Sequence, residues 1–206
     1  MSLYSNYKKI ARRARHTDMK KSGSDGGFTL VELIVSVSIF VFMTAFLVVR
    51  YGTFNQGVIV TNAAYDIALA VRSAQSYGLN VMQSVDVVNP FKHGFGAHFS
   101  PGAVFYTFSD VNDDGVQDTG EILSTSNLKK GIAIASIQAV CSDLGPTTQN
   151  ATVADVTFKR PDPDAIIKAT IGGTPHVCQF VQINISAPDG SKKAIVVRGT
   201  GQIAIQ

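Results

Sequence analysis

The chain has 206 residues, with 18 Lys and Arg against 15 Asp and Glu and a formal net charge of +3. Residues 1–27 hold seven of the basic and two of the acidic residues, so they carry 7 − 2 = +5, whereas residues 28–206 carry 11 − 13 = −2. The basic balance therefore belongs to the N-terminal arm, and net charge gives no reason to infer nucleic-acid binding by the remaining chain.

The basic arm predicts the orientation of the chain in a membrane. Lys and Arg concentrate on the cytoplasmic side of a membrane span, so we expect residues 1–27 in the cytoplasm and everything after Val49 on the other side. The basic residues of the arm are Lys8, Lys9, Arg12, Arg13, Arg15, Lys20 and Lys21.

An apolar run follows the arm. Residues 28–49 contain no Gly or Pro, and Glu32 is their only ionisable residue. About 20 apolar residues in a helix match the roughly 30 Å hydrocarbon core of a bilayer, so the run predicts a transmembrane helix.

Glu32 admits two interpretations from physics alone, because a carboxylate in a span costs about 2 kcal/mol or more unless it is paired, neutralised or at the interface. It could pair with a free α-amino group at Phe28, four residues earlier, in the same chain or a neighbouring one, if the chain is cut after Gly27. It could instead lie wet at the interface, stabilised by the helix macrodipole.

The sequence Gly27-Phe28-Thr29-Leu30-Val31-Glu32-Leu33 resembles the processing site of type IV pilins and pseudopilins. The resemblance implies that a prepilin peptidase cuts between Gly27 and Phe28 and methylates the new amino group of Phe28. It also implies that Glu32 is the assembly carboxylate. The retained helix would anchor the chain in a bacterial inner membrane, with the head outside the cytoplasm, before it joins a filament through an inner-membrane assembly platform.

Beyond the span, the hydrophobic period predicts an amphipathic stalk helix over residues 50–79 that packs on a soluble domain. Its apolar positions are Val60, Ala64, Ile67, Val71, Ala74 and Gly78. Gly52 and Gly57, between the two halves, predict a joint that can bend.

Residues 80–206 predict a β-rich exported head. Short β-branched and aromatic runs are separated by turn residues, and one helix followed by many strands favours an α+β fold with an antiparallel sheet. The predicted strands are 104–108, 121–124, 132–140, 153–159, 165–171, 177–186, 193–198 and 202–205, and the segment 89–102 is predicted to be irregular.

Further short matches resemble the H-type minor pseudopilins of type II secretion and related minor pilins. They are the segment 68–76, Gly94-Phe95-Gly96-Ala97-His98-Phe99, and a last strand introduced by Gly201-Gln202-Ile203. The resemblance implies a minor structural subunit whose partners are other pilins or pseudopilins. A DNA-binding minor pilin is the alternative. The C-terminal stretch lacks the two arginines of the DNA-binding motif in that group, so a nucleic-acid partner is not expected.

Residues 110–121 match the calcium-loop pattern D-x-[DN]-x-[DN]-G-x5-E. The pattern assigns calcium ligands to Asp110, Asn112, Asp114, the Val116 carbonyl, Asp118 and Glu121. The flanking segments predict strands where an EF-hand has helices, and an acidic hairpin loop without metal is the alternative. No cofactor is required by this sequence, and Ca²⁺ is its one candidate.

Cys141 and Cys178 are the only cysteines. In an exported chain they allow one intramolecular disulfide, and two reduced, buried thiols are the alternative. The sequence contains no nucleophile elbow, P-loop or dinucleotide fingerprint, so an enzyme is not expected. A third interpretation of the whole chain is an uncleaved signal-anchored protein with a calcium-binding external domain.

Overall fold

The structure, a computed structural model, describes residues 27–206, apart from the side chains of residues 50–55. The predicted cytoplasmic arm comprises residues 1–27, and residues 1–26 of it lie outside the described residues. The chain divides into two units, of which the first ends at Phe46 and the second spans Leu47–Gln206.

The helix α1 comprises Leu30–Leu79 and begins with a side-chain cap. The backbone N–H of Glu32 donates to Thr29 Oγ1 at 3.2 Å, and the N–H of Leu33 donates to the Thr29 carbonyl at 3.1 Å. Thr at the N-cap with Glu three residues later is a sequence pattern that starts helices, because the threonine oxygen accepts a hydrogen bond from an otherwise unpaired N–H. The helix continues without a break through Gly52 and Gly57.

In the second unit, one face of α1 packs in the apolar core. Val60, Ala64, Ile67, Val71 and Ala74 are each no more than 1% exposed. They recur at steps of three and four, and small or branched side chains allow strands to approach the helix closely. The predicted apolar stripe of the stalk is confirmed.

Ten strands follow the helix and pair antiparallel throughout. They are β1 Gly94–Phe99, β2 Val104–Asp110, β3 Ile122–Asn127, β4 Ala133–Cys141, β5 Gln149–Ala151, β6 Val153–Lys159, β7 Asp162–Ile171, β8 Thr174–Ser186, β9 Lys192–Arg198 and β10 Ile203–Ile205. Within residues 27–206, a helix followed by an antiparallel sheet confirms the predicted α+β class.

The strand β8 connects two groups of strands. Its beginning, from Thr174 to Cys178, pairs with β7, which continues the order β7-β6-β1-β2-β3. Its remainder pairs with β4 on one side and with β9 on the other. Both groups therefore share one strand, and β3 and β10 lie at the two ends of the principal strand order.

Several sequence predictions are wrong in detail. Residues 94–99, predicted to be irregular, form β1, which lies between β2 and β6. The short polar strand β5 was not predicted, and β7 and β8 each begin three residues earlier than expected. The hairpin turn at Pro188–Ser191 is confirmed, since the N–H of Ala187 donates to the Ser191 carbonyl at 2.9 Å.

Candidate functional sites

The N-terminal segment presents an apolar surface that the first unit leaves uncovered. Leu30–Val49 has a mean hydropathy of 2.4 with none of its residues buried, and it is long and apolar enough to cross a membrane. The hydroxyls of Ser36 and Ser38 donate to carbonyls one turn earlier, each at 2.7 Å. Those bonds remove the cost of placing the hydroxyls in an apolar medium.

The predicted processing residues lie just before this helix. Gly27 and Phe28 are outside regular structure, and both are exposed, Phe28 to 79%. Glu32 is exposed in the first helical turn. A carboxylate there is stabilised by the positive end of the macrodipole, so the helix itself supplies one of the two predicted environments for Glu32.

The loop of residues 110–121 joins β2 to β3, and its first and last carboxylates are buried. Asp110 is 3% exposed, and its two oxygens accept from the N–H groups of Asp114 at 3.0 Å and Gly115 at 2.9 Å. Glu121 is 5% exposed and accepts from the N–H groups of Val111 at 2.8 Å and Asp118 at 2.9 Å. The two carboxylates thus fix the backbone of the loop from inside.

The electrostatics of the loop are unfavourable to ionised Asp110. Burial raises the pKa of Asp110 to about 6, an effect that the hydrogen bond from Gly115 opposes and the neighbouring acids Asp114, Glu121 and Asp113 reinforce. A cation placed among these groups would favour the ionised form, because an opposite charge lowers the pKa of a carboxyl group.

The remaining predicted ligands approach one another. Asn112 Nδ2 lies 3.1 Å from an Asp114 carboxylate oxygen and 2.9 Å from one of Asp118, so the amide lies between two carboxylates. If the side-chain amide of Asn112 were rotated by 180°, its oxygen would lie between the two carboxylates instead of Nδ2. Val116 donates its N–H to Asp114 Oδ1 at 2.8 Å. Within residues 27–206 as described, no group of three or more His, Cys, Asp or Glu converges as a metal site.

Contacts with the sheet hold this loop in place. Asp113 Oδ1 and Lys159 Nζ form an ion pair at 2.8 Å, and the Lys168 ammonium donates to the Asp114 carbonyl. Gly115 has φ +74°, a conformation that favours glycine, and an added Cβ there would meet Ile166 and Lys168. The loop therefore packs over β6 and β7.

The disulfide between Cys141 and Cys178 is formed, with the sulfurs 2.02 Å apart. It joins the last residue of β4 to β8, where the two residues are direct partners in the ladder. The reduced alternative is thereby excluded. A cross-link that closes a loop of this length stabilises by about 3 to 4 kcal/mol in the chain-entropy model.

A buried histidine–aspartate pair on neighbouring strands was not predicted from the sequence. His98 Nδ1 lies 2.7 Å from Asp155 Oδ1, and Asp155 is 1% exposed. The His98 ring packs against Tyr106 at a centroid distance of 5.7 Å. Asp155 lies in an otherwise apolar part of β6, and this position could have indicated the pair from the sequence, since a buried carboxylate requires a partner.

The basic residues near the C-terminal end do not form one patch. Lys192 and Arg198 are the first and last residues of β9, and six strand steps separate them by roughly 20 Å. The charges at the two ends of β9 are therefore not adjacent.

Comparison of the chain with protein-family models, with curated proteins and with solved structures gives no match.

Proposed function

We propose that this chain is a structural subunit, of the pilin or pseudopilin type, that is anchored in a membrane and assembles into a filament through α1. One observation carries the proposal. The first part of α1 is predominantly apolar and unburied, whereas the later part of the same helix buries one face in its own head. Such a helix needs lipid or neighbouring helices to cover its first part.

The chemistry of assembly follows from the start of the helix. Cleavage between Gly27 and Phe28 creates an amino group one turn before Glu32, and no other ionisable group lies in residues 28–49. In a bundle of apolar helices, an amine and a carboxylate that are removed from water stabilise each other only as a pair. Glu32 therefore selects a register in which it meets the Phe28 amine of its own or a neighbouring chain.

The first test is the intact mass of the chain extracted from membranes, with and without a co-expressed prepilin peptidase. We expect residues 1–27 to be lost and one methyl group to be gained only when the peptidase is present. An uncut chain under both conditions would refute the processing step and favour an uncleaved anchor.

The second test separates the charge of Glu32 from its size. Glu32→Gln keeps the shape of the side chain and removes its charge, so incorporation into sheared filaments should fall about tenfold or more, as for a lost buried pair. Ser36→Ala, one turn later, is the matched control and should assemble normally. Normal assembly of Glu32→Gln would show that the pair has no role.

A specific observation also favours a cation at residues 110–121. Buried Asp110 and Glu121 hold the loop closed around Asn112, Asp114 and Asp118. We propose that this loop takes Ca²⁺, which would be bound by hard oxygens at the spacing of the calcium pattern. The ion would order the loop without taking part in any reaction.

Thermal unfolding of the full chain in detergent micelles tests this proposal. For the affinity of an extracellular module, roughly 10⁻⁴ to 10⁻³ M, about 10 mM Ca²⁺ should stabilise by about 1.4 to 2.7 kcal/mol. Asp114→Ala, which removes the ligand oxygen, should abolish most of the gain, whereas Asp189→Ala, in the turn after β8, should retain it. An equal gain with Mg²⁺, or in Asp114→Ala, would contradict a calcium site.

A further inference from the structure

We propose that one end of the head binds the anionic lipid surface of the membrane in which α1 is anchored. The basic end consists of Lys129, Lys130, Lys192 and Lys193. This inference rests on the proposed membrane anchor, and it assigns a partner to a surface that filament assembly does not explain.

The fold gathers the four lysines from two turns. Lys129 and Lys130 lie between β3 and β4, and Lys192 and Lys193 begin β9 after the turn at 187–191. Ala133, Ser186 and Lys192 are partners across three adjacent strands. Gly131 approaches Pro188 so closely that a Cβ on it would lie 2.9 Å from the proline ring. The two turns are therefore neighbours at the same end of the sheet.

The charges at this end are available to an external partner. Lys129, Lys130 and Lys192 are exposed and Lys193 is half-buried. None of the four forms an ion pair within the described part of the chain. Three carboxylates lie nearby: Asp66 in the cavity that Lys129 and Lys130 line, Asp189, which accepts from Ser191, and the terminal carboxylate of Gln206 in a cavity that Lys192 and Lys193 line. Four positive charges against three negative ones leave this end with a net positive charge.

The basic end lies next to the beginning of the buried helical face. Ile59 and Ala63 line the same cavity as Lys129 and Lys130. Ile59 follows Val49 by ten residues, or about 15 Å of helix. This length is the largest separation that the helical connection allows between the end of the span and the buried face. The headgroup layer takes up roughly 6 Å of it, so the connection holds the basic end within about one Debye length of the headgroups at physiological salt. Lysine side chains are long enough to reduce this separation further.

The opposite end of the head is acidic. It carries the carboxylates of the 110–121 loop, where Asp113 pairs with Lys159, and the N–H of Arg160 donates to the Gly78 carbonyl at 3.2 Å. Gly78 is 19 residues beyond Ile59, about 28 Å along the helix. The head is thus an electric dipole along α1, and an anionic surface at the start of the helix would favour the basic end facing it.

Lipid is favoured over the acidic end of a second copy by the tether. An anchored chain holds the basic end close to the bilayer at a high effective concentration, so less translational entropy is lost on contact than in the association of two separate chains. A second copy must first diffuse to the basic end and orient its acidic end toward it. The bilayer therefore has the advantage for a subunit that has not yet assembled.

The test uses the full chain, which contains no tryptophan, so that an introduced indole is a unique reporter. Pro101→Trp places it in the β1–β2 turn, where Gly102 bridges to Ile134 at the basic end. Val87→Trp places it on a 92% exposed residue beside the acidic loop. Energy transfer to a dansyl lipid headgroup is measured in vesicles of phosphatidylcholine alone or with about a third phosphatidylglycerol.

We expect stronger transfer from Pro101→Trp in the anionic vesicles, lost at high salt, and no such change from Val87→Trp. Each lysine near an anionic surface contributes about a fivefold change in the docked population, so Lys129→Gln with Lys130→Gln should lower it about 25-fold. Lys92→Gln with Arg198→Gln removes two charges elsewhere and should leave the transfer unchanged.

The outcomes separate the two proposals. A chain that fails to float with vesicles of either composition refutes the membrane anchor. If the chain floats, but energy transfer to the dansyl lipid depends neither on phosphatidylglycerol nor on the lysine substitutions, the lipid-binding end alone is refuted. If the lysine variants keep the transfer and lose cross-linking between copies, the basic end is a subunit contact and the lipid proposal is wrong.

Discussion

Replacing Gly78 with alanine is expected to destabilise the second unit, although alanine is normally the better residue in a helix. Gly78 is buried in the last turn of α1, where a Cβ would lie 2.4 Å from the Phe158 carbonyl oxygen and 2.8 Å from its carbon. These are backbone atoms of β6, which cannot rotate away. Overpacking of this kind costs about 1 to 3 kcal/mol, and the rigid neighbour places it near the upper value.

The helix propensity of alanine offsets about 1 kcal/mol of that cost, which leaves a net loss of about 2 kcal/mol. For a unit of this size, each kcal/mol lowers the Tm by about 2 to 4 °C, so Gly78→Ala should melt about 4 to 8 °C below the parent chain. Circular dichroism of the full chain in detergent micelles measures the change.

Gly57→Ala is the matched control on the same helix, because nothing lies within 4 Å of the Cβ it would add. It should show only the gain in propensity, about 1 kcal/mol, and a Tm about 2 to 4 °C higher. If Gly78→Ala is as stable as Gly57→Ala, the close approach of α1 to β6 is wrong.

Three further changes test other parts of the head. Replacing Cys141 and Cys178 together with alanine should lower the free energy of unfolding by about 3 to 4 kcal/mol, and reductant should then have no further effect. Burial raises the pKa of Asp110 from 3.8 to about 6, so the folded state binds more protons than the unfolded state between those values and stability falls as pH rises. Asp110→Asn should flatten this slope in urea titrations between pH 4 and 6 without calcium, and an unchanged slope would contradict the assignment. Gly96→Ala should destabilise by about 1 to 3 kcal/mol, since its Cβ would lie 2.6 Å from the Phe108 ring; a Tm equal to that of the parent would contradict this contact.

The helical stripe and the disulfide could be predicted because each depends on one strong, local signal. Val60 to Gly78 repeat at the helical period, and two cysteines in an exported chain allow one pairing. The strand β1 could not be predicted in the same way. Gly94 and Gly96 are typical of loops. The Phe108 ring and the Thr157 hydroxyl, which lie against Gly96, explain why the strand needs glycine there.

The candidate loop was located by its spacing, but its energetics required the fold. The pattern of oxygen-bearing residues gave the positions from Asp110 to Glu121. The burial of Asp110 and Glu121 depends on strands that are far away in the sequence. The same holds for the contacts by which Lys159 and Lys168 fix the loop to β6 and β7. The partner of Asp155 was hidden for the same reason, because His98 is 57 residues away.

The shared strand β8 has a consequence for how the head opens. Because β7, β4 and β9 all hydrogen-bond to it, and Cys178 ties it to β4, neither group of strands can separate without breaking the other's ladder. Local fraying is confined to the three edge strands, β3, β5 and β10, and the amides of β8 become exposed to solvent only when the head unfolds as a whole. In native-state hydrogen exchange, the slowest amide protons should therefore lie on β8, and their exchange should report the global free energy of unfolding.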